Sequence, residues 1–254
     1  MNNDRYEFTD YTVVGSSQTR TALSVSKRFM AGVFAWMFVA LAVSAIFALL
    51  FAGNASLASS LAEVTEHGRS LKPLGFAVML APLIFPFVLF AGFERMSSTT
   101  LVGLFVLFAA TMGISLSFIL LTYTAGSVVT CFATAALMFG VMAVMGYTTD
   151  KDLTTFGSLL SMVAVGIFVA ALVNWVLHSP ALNYIISLVG VAVFTGLTAF
   201  HVQKLKRIGA GIEYEGTRTV GAGKLMLLGA VTLYLDFINL FVLLLNLFGV
   251  RRND

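Results

Sequence analysis

The 54 residues Met96–Thr149, MSSTTLVGLFVLFAATMGISLSFILLTYTAGSVVTCFATAALMFGVMAVMGYTT, contain no Asp, Glu, Lys or Arg. About 18 consecutive apolar residues suffice to cross a bilayer as a helix, so this stretch is long enough to cross twice. Its break falls at Thr124-Ala125-Gly126, where small and polar residues interrupt the apolar run. A second charge-free stretch, Leu153–Gln203, divides in the same way at His178-Ser179-Pro180. Lipid offers a backbone N–H or C=O no partner, so such runs must form helices or close into a barrel. Barrel strands would alternate polar and apolar residues over about ten positions, and that alternation is absent.

Working outward, further apolar runs bring the predicted spans to seven: 29–52, 73–92, 101–122, 126–147, 156–177, 183–203 and 225–249. The chain has 254 residues, 59% hydrophobic and 11% charged, with a mean hydropathy of +0.94. A soluble domain of this size could not cover so much apolar surface. The expected fold is therefore all-α and polytopic. Residues 1–27 form a polar N-terminal segment, 28–250 a single seven-helix transmembrane domain, and 251–254 a short tail. Residues 1–28 are polar and mixed in charge, so the first apolar run reads as a retained anchor rather than a cleaved leader.

The formal charge of +3 would suggest nucleic acid in a soluble chain. Here it follows from an orientation bias, and no nucleic-acid partner is expected. With the N-terminus cytoplasmic, eleven Lys and Arg fall on the inner side, among them Arg95, Lys151, Lys204, Lys206 and Arg207. Four fall outside: Arg69, Lys72, Arg251 and Arg252. Eleven against four predicts the N-terminus inside and the C-terminus outside. Trp175, Tyr123, Tyr147 and Tyr184 lie near span ends, as interfacial aromatic residues do. Leu57, Leu61 and Val64 recur at helical spacing between the first two spans, which fits a short interfacial helix or an ordinary outer loop. Small residues, including Gly103, Gly113, Gly140, Gly166, Gly190, Gly196 and Gly229, suit close helix packing. The single cysteine, Cys131, excludes an intrachain disulfide and any CxxC site.

Asp236 is the only Asp, Glu, Lys or Arg inside a predicted span. An ionisable residue at mid-bilayer costs about 2.5–3.5 kcal/mol on insertion scales, so it must face a partner or water. It is either a protonated polar clasp or an ion or proton site. His201, at the end of the sixth span, is the candidate partner, though a histidine there could equally be an interfacial residue. Were the sixth helix to end at Arg207, the two would differ in depth by six residues, about 9 Å. Asn239 shares the face of Asp236 at i+3, and Tyr234 and Asn174 are further buried hydrogen-bonding candidates. Pro82 and Pro86 remove backbone donors from the second span and are expected to kink it, as a gate or for packing. No phosphate loop, HExxH motif or Cys/His cluster exists. A retinal-binding lysine is missing from the last span, and an aspartyl intramembrane protease would need two buried acids. Neither catalysis nor a cofactor is expected.

The last span reads Gly229-Ala230-Val231-Thr232-Leu233-Tyr234-Leu235-Asp236-Phe237-Ile238-Asn239-Leu240-Phe241. This resembles the signature of the Bax inhibitor-1 family, the transmembrane Bax-inhibitor-motif proteins, and its bacterial branch in particular. Phe29–Met37, Met79–Leu83, Gly146–Thr154 and Thr195–Lys204 are similar, in order, to the family's first span, second span, loop after the fourth span and end of the sixth. The resemblance implies seven helices with the last central, wrapped by the other six, in a bacterial inner membrane. It also implies a pH-sensitive calcium leak controlled by two aspartates sharing a proton on helices six and seven. The second maps onto Asp236 and the first onto His201, a departure from the pattern. Phe200 stands where tyrosine is usual, and Asn246 where arginine is common.

Two neighbouring carboxylates cannot both ionise easily, whereas a histidine and a carboxylate form a pair that is neutral overall. A site with His201 should therefore draw calcium, here a transported ion, less strongly. The alternative expectation is a non-conducting regulator that binds a membrane protease or acts in stress and cell-death pathways. Residues 1–27 and 204–224 would be its contact surfaces.

Overall fold

The computed structural model describes residues 15–65, 68–214 and 221–252. Parts of the N-terminal segment (with Arg5), of the basic loop (with Arg218) and of the tail lie outside these. Eight helices follow one another: α1 Gly15–Gly53, α2 Ala55–Leu61, α3 Pro73–Gly92, α4 Ser98–Thr122, α5 Ala125–Thr148, α6 Thr154–Leu177, α7 Pro180–Tyr214 and α8 Ala222–Phe248. Six are long and apolar enough to span a membrane, and α3 makes the seventh if its two bent halves count as one crossing.

Local chemistry sets several boundaries. The Ser97 side chain accepts the Thr100 N–H to start α4, and Thr124 accepts the Ser127 N–H to start α5. Pro73, whose missing N–H would be unpaired anyway, opens α3. Pro82 and Pro86 lie inside that helix, and its segments Pro73–Pro82 and Ile84–Gly92 meet at 48°.

Three features add to the reading. Within the polar segment 1–27, the residues from Gly15 are helical and belong to α1. Of the three residues that fitted either a short interfacial helix or an outer loop, Leu57 and Leu61 lie in α2, and Val64 lies in a short antiparallel hairpin of β1 Ala62–Thr65 and β2 Gly68–Leu71. Asn54 caps α2 by accepting the N–H groups of Ser56 and Leu57. Lastly, α8 is central but is not wrapped by all six other spans. It packs on α1, α3, α4, α5 and α7, while α6 leans on α7 alone as its main neighbour.

The core therefore follows the last helix. In its most apolar window α8 is 72% buried, against 6% for α6. A helix enclosed on all sides is apolar all round, as α8 is except at a few polar positions. The exposed faces of α5 and α6 carry Leu137, Val144, Met162, Val165 and Phe168. In water this would be an aggregating patch, and in lipid it is the solvated surface. Trp175 and Tyr184 are exposed near span ends, as a belt requires. Tyr123 is instead buried, its hydroxyl on Asn246 Oδ1 at 3.1 Å.

Where glycine permits close approach depends on the neighbour. A Cβ on Gly113 would lie 2.3 Å from the Ser44 carbonyl oxygen, and one on Gly146 2.2 Å from that of Ala199. These two positions lock α4 to α1 and α5 to α7. Gly190, Gly196 and Gly229 are likewise crowded by side chains, but Gly103, Gly140 and Gly166 face open space, so packing does not account for them.

Candidate functional site

The site lies on the seam between α7 and α8. His201 Nδ1 is 2.6 Å from Asp236 Oδ2. The depth mismatch expected from sequence disappears because α7 continues past Arg207 to Tyr214. His201 then lies 13 residues from the end of α7, and Asp236 lies 14 from the start of α8. At 1.5 Å per residue the two antiparallel helices bring both groups to one level, about 20 Å from the shared loop.

The surroundings of the pair are apolar. Leu233, Phe237 and Leu240 of α8 are buried around the carboxyl. The Phe237 ring meets Phe132 and Phe139 of α5 edge-on, with centroids 5.2 and 5.7 Å away. Phe200 lies beside the imidazole, its ring centroid 5.3 Å away. A Cβ on Gly157 of α6 would strike that Phe200 ring, so glycine there makes its room. The His201 bond is the only one Asp236 makes among the described residues. The Asp236 side chain is 4% exposed and that of His201 19%. The imidazole is thus the open side of the pair, with Nδ1 meeting the carboxyl.

One turn further along α7 is a set of contacts that the sequence did not single out. Gln203, buried, accepts the Leu153 N–H at 2.9 Å and donates to the Lys151 carbonyl at 2.7 Å. Lys206 donates to the Tyr147 carbonyl at 2.8 Å. Arg207 donates to Asp152 Oδ1 at 2.9 Å and to Thr154 Oγ1 at 3.0 Å. Hydrogen bonds from Thr154 and from the Arg207 guanidinium hold the Asp152 carboxyl well below the usual range, at about 2. This latch ties the α5–α6 loop to α7 between Gln203 and Arg207, beside His201. Its only signal in the sequence was complementary charge, Asp150-Lys151-Asp152 against Lys204, Lys206 and Arg207.

The other candidates divide. Tyr234 is fully buried, but it is two residues from Asp236 and so about 200° around the helix. Its hydroxyl lies 2.7 Å from Ser44 Oγ of α1, which in turn reaches the Ala109 carbonyl of α4 at 2.7 Å. Phe105 and Phe108 of α4 pack edge-on against its ring. Tyr234 and the overlooked Ser44 are therefore a clasp between α1, α4 and α8, separate from the proton-bearing pair. Asn239 is half-buried and makes no hydrogen bond among the described residues. Asn174 is not a buried partner of Asp236. It lies near the far end of α6, where its Oδ1 accepts the Ser179 N–H at 3.0 Å and its carbonyl accepts the His178 N–H. His178, at φ 52°, ends that helix in the left-handed region. Pro82 and Pro86 are on α3, away from the seam.

Among the described residues no three His, Cys, Asp or Glu side chains converge. The pair itself offers one carboxylate and one imidazole, whereas calcium takes six to eight oxygen ligands. What the arrangement can do is hold, lose or gain a proton in a place where one unit of charge matters.

Comparison with known proteins agrees with the sequence and the fold. The family described as "Inhibitor of apoptosis-promoting Bax1" matches residues 26–253. The inner membrane protein YbhL of Escherichia coli (strain K12) is 40% identical over 249 residues, covering 98% of this chain and all of the relative. A protein of Borreliella burgdorferi is 36% identical over 95% of this chain and all of its own length. Another, RP147 of Rickettsia prowazekii, is 38% identical over 96% of this chain and 99% of its own.

Proposed function

The chain belongs to the Bax inhibitor-1 family, and from that premise we propose that it is a pH-sensitive passive cation leak worked by the His201–Asp236 pair. The observation that carries this reading is the 2.6 Å contact between a half-buried imidazole and a buried carboxyl on the α7–α8 seam. With one proton the pair is neutral overall. Without it the pair carries a full negative charge in a low-dielectric setting, which favours entry of a cation. With two protons it is positive and repels one.

At every proton count this pair is one charge more positive than the two aspartates that the family resemblance implies. Calcium is the proposed transported ion, drawn less strongly than by an aspartate pair, with a pH response that is shifted or weakened. The bent α3, with Pro82 and Pro86 at its bend, is the proposed gate, because a helix lacking backbone bonds there moves at lower cost. The proposed setting is an inner membrane, as the name of the Escherichia coli relative states for that protein, with the N-terminus on the cytoplasmic side.

The test is calcium flux through purified protein in liposomes from pH 5 to 9, comparing the natural chain with His201→Asp and Asp236→Asn. The expected result is a different pH profile for His201→Asp and loss of pH regulation in Asp236→Asn. Superimposable profiles for the natural chain and His201→Asp would defeat the proposal.

A non-conducting regulator is the second reading. It is favoured by α1 and α7 continuing as helices beyond the predicted spans, with Gly209 of α7 against Phe29 and Ser26 of α1, which makes a firm platform for a protein partner. Absence of flux, together with co-purification of a membrane protease that is lost on deleting residues 1–27, would select it.

A further inference from the structure

We propose that an open furrow between α1 and α5 is a binding site for one anionic phospholipid, with its phosphate at Lys27 and an acyl chain along the furrow. The two helices are not packing partners: α1 leans on α4, α7 and α8, and α5 on α7 and α8. Three adjoining cavities of about 300, 490 and 270 Å³ fill the space between them. The first two share Phe34 and Ala143, and the last two share Leu41, Ala45 and Phe132, so they form one continuous furrow. Its floor is the α8 face carrying Phe237, Ile238 and Phe241. From Lys27 to Leu49 the α1 wall runs 22 residues, about 33 Å, which matches the hydrocarbon core of a bilayer.

Charge indicates the occupant. The furrow is apolar along its length, and its one charged wall residue is Lys27, at one end. Lys27 is exposed and makes no ion pair or hydrogen bond among the described residues. Tyr147 lines the same end, and the Lys206 ammonium lies 5.1 Å from its ring centre. Lys206 does not line the furrow and is held on the Tyr147 carbonyl, so among the described residues the free ammonium at its mouth is that of Lys27. An ammonium beside a tyrosine ring above an apolar channel suits a phosphate with a hydrocarbon tail, and basic pockets between transmembrane helices bind anionic headgroups in this way.

The test is native mass spectrometry of the full chain in detergent with phosphatidylglycerol and phosphatidylcholine of identical acyl chains. One phosphatidylglycerol should be retained in preference to phosphatidylcholine, and Lys27→Gln should lower that preference about fivefold. Gly140→Trp should reduce retention of both lipids, because Gly140 lines the furrow and its Cβ would meet nothing within 4 Å. Gly166→Trp, equally unobstructed but on lipid-facing α6, should leave retention unchanged. Equal retention of the two lipids by the natural chain would overturn the proposal. So would indifference to both Lys27→Gln and Gly140→Trp, equal loss in Gly166→Trp, or a stoichiometric membrane-protein partner displaced by Gly140→Trp.

Discussion

Replacing His201 and Asp236 by leucine, singly and together, separates a working pair from two independent polar residues. The contact is one Nδ1–Oδ2 bond of 2.6 Å. Charge-assisted hydrogen bonds contribute about 1.5–3 kcal/mol in water-soluble proteins, but interhelical bonds in membranes average about 0.6 and reach about 1.7 kcal/mol. A short contact between two ionisable groups belongs near the upper membrane value, so the expected coupling is about 1.5 kcal/mol. The single variants should differ. His201→Leu strands a carboxyl that is 4% exposed, which must neutralise or go unpaired, at a cost of about 2–3 kcal/mol. Asp236→Leu strands an imidazole that is 19% exposed and can still reach water, at about 1 kcal/mol. Reversible unfolding by SDS titration in mixed micelles measures all four chains. A double variant whose cost equals the sum of the singles within about 0.5 kcal/mol would refute a direct interaction. A coupling that does not change between pH 5 and pH 9 would refute proton exchange at the pair.

Other outcomes follow from the same geometry. Gly113→Ala should destabilise by about 1–3 kcal/mol in thermal unfolding, because its Cβ meets the Ser44 carbonyl, while Gly103→Ala, facing open space, should be neutral or slightly stabilising. Equal effects at the two positions would contradict the α1–α4 packing. Tyr234→Phe removes the bond to Ser44 and should cost about 0.6–1.7 kcal/mol without moving the pH profile of flux, since the hydroxyl is on the far side of α8; a displaced profile would join the clasp to the pair. The Asp152 carboxyl is held at about 2, below its ordinary value of 3.8, so its contribution is present above pH 3.8 and is lost as pH falls towards 2. Asp152→Asn should therefore leave the midpoint of any response between pH 5 and 9 unchanged, and a shift there would place a titrating group in the latch.

The spans were legible because lipid excludes charge: where Asp, Glu, Lys and Arg stop, a helix can enter the membrane, and six predicted segments fall within the helices found while the seventh overruns α8 by Gly249 alone. Asp236 was legible for the same reason, as the one violation. The level of His201 was not. Hydropathy falls after Gln203, yet α7 runs on through Lys204, Lys206 and Arg207 to Tyr214, because helix continuity depends on the backbone and on packing against α1 and α5 rather than on apolarity. Asn174 looked like a buried polar residue because its neighbours are apolar, but those neighbours face lipid at the outer edge of α6. Gly113 and Gly103 are indistinguishable in sequence, since only the helix opposite decides which is crowded. Gln203 and Ser44 act through carbonyls on distant segments, and no residue pattern announces such partners.

The helix around which the others are organised follows α1 to α7 in the chain and is made after them. When α1 to α7 have emerged, Ser44 still lacks its Tyr234 contact and His201 its carboxyl. Only then does α8 arrive, carrying a carboxyl that lipid resists. Until it does, α1 to α7 lack the most deeply buried of the spanning helices described. Chains that end before residue 222 would keep the α1, α4, α5 and α7 side of the core but lose Leu227 to Leu245, the face against which those helices close.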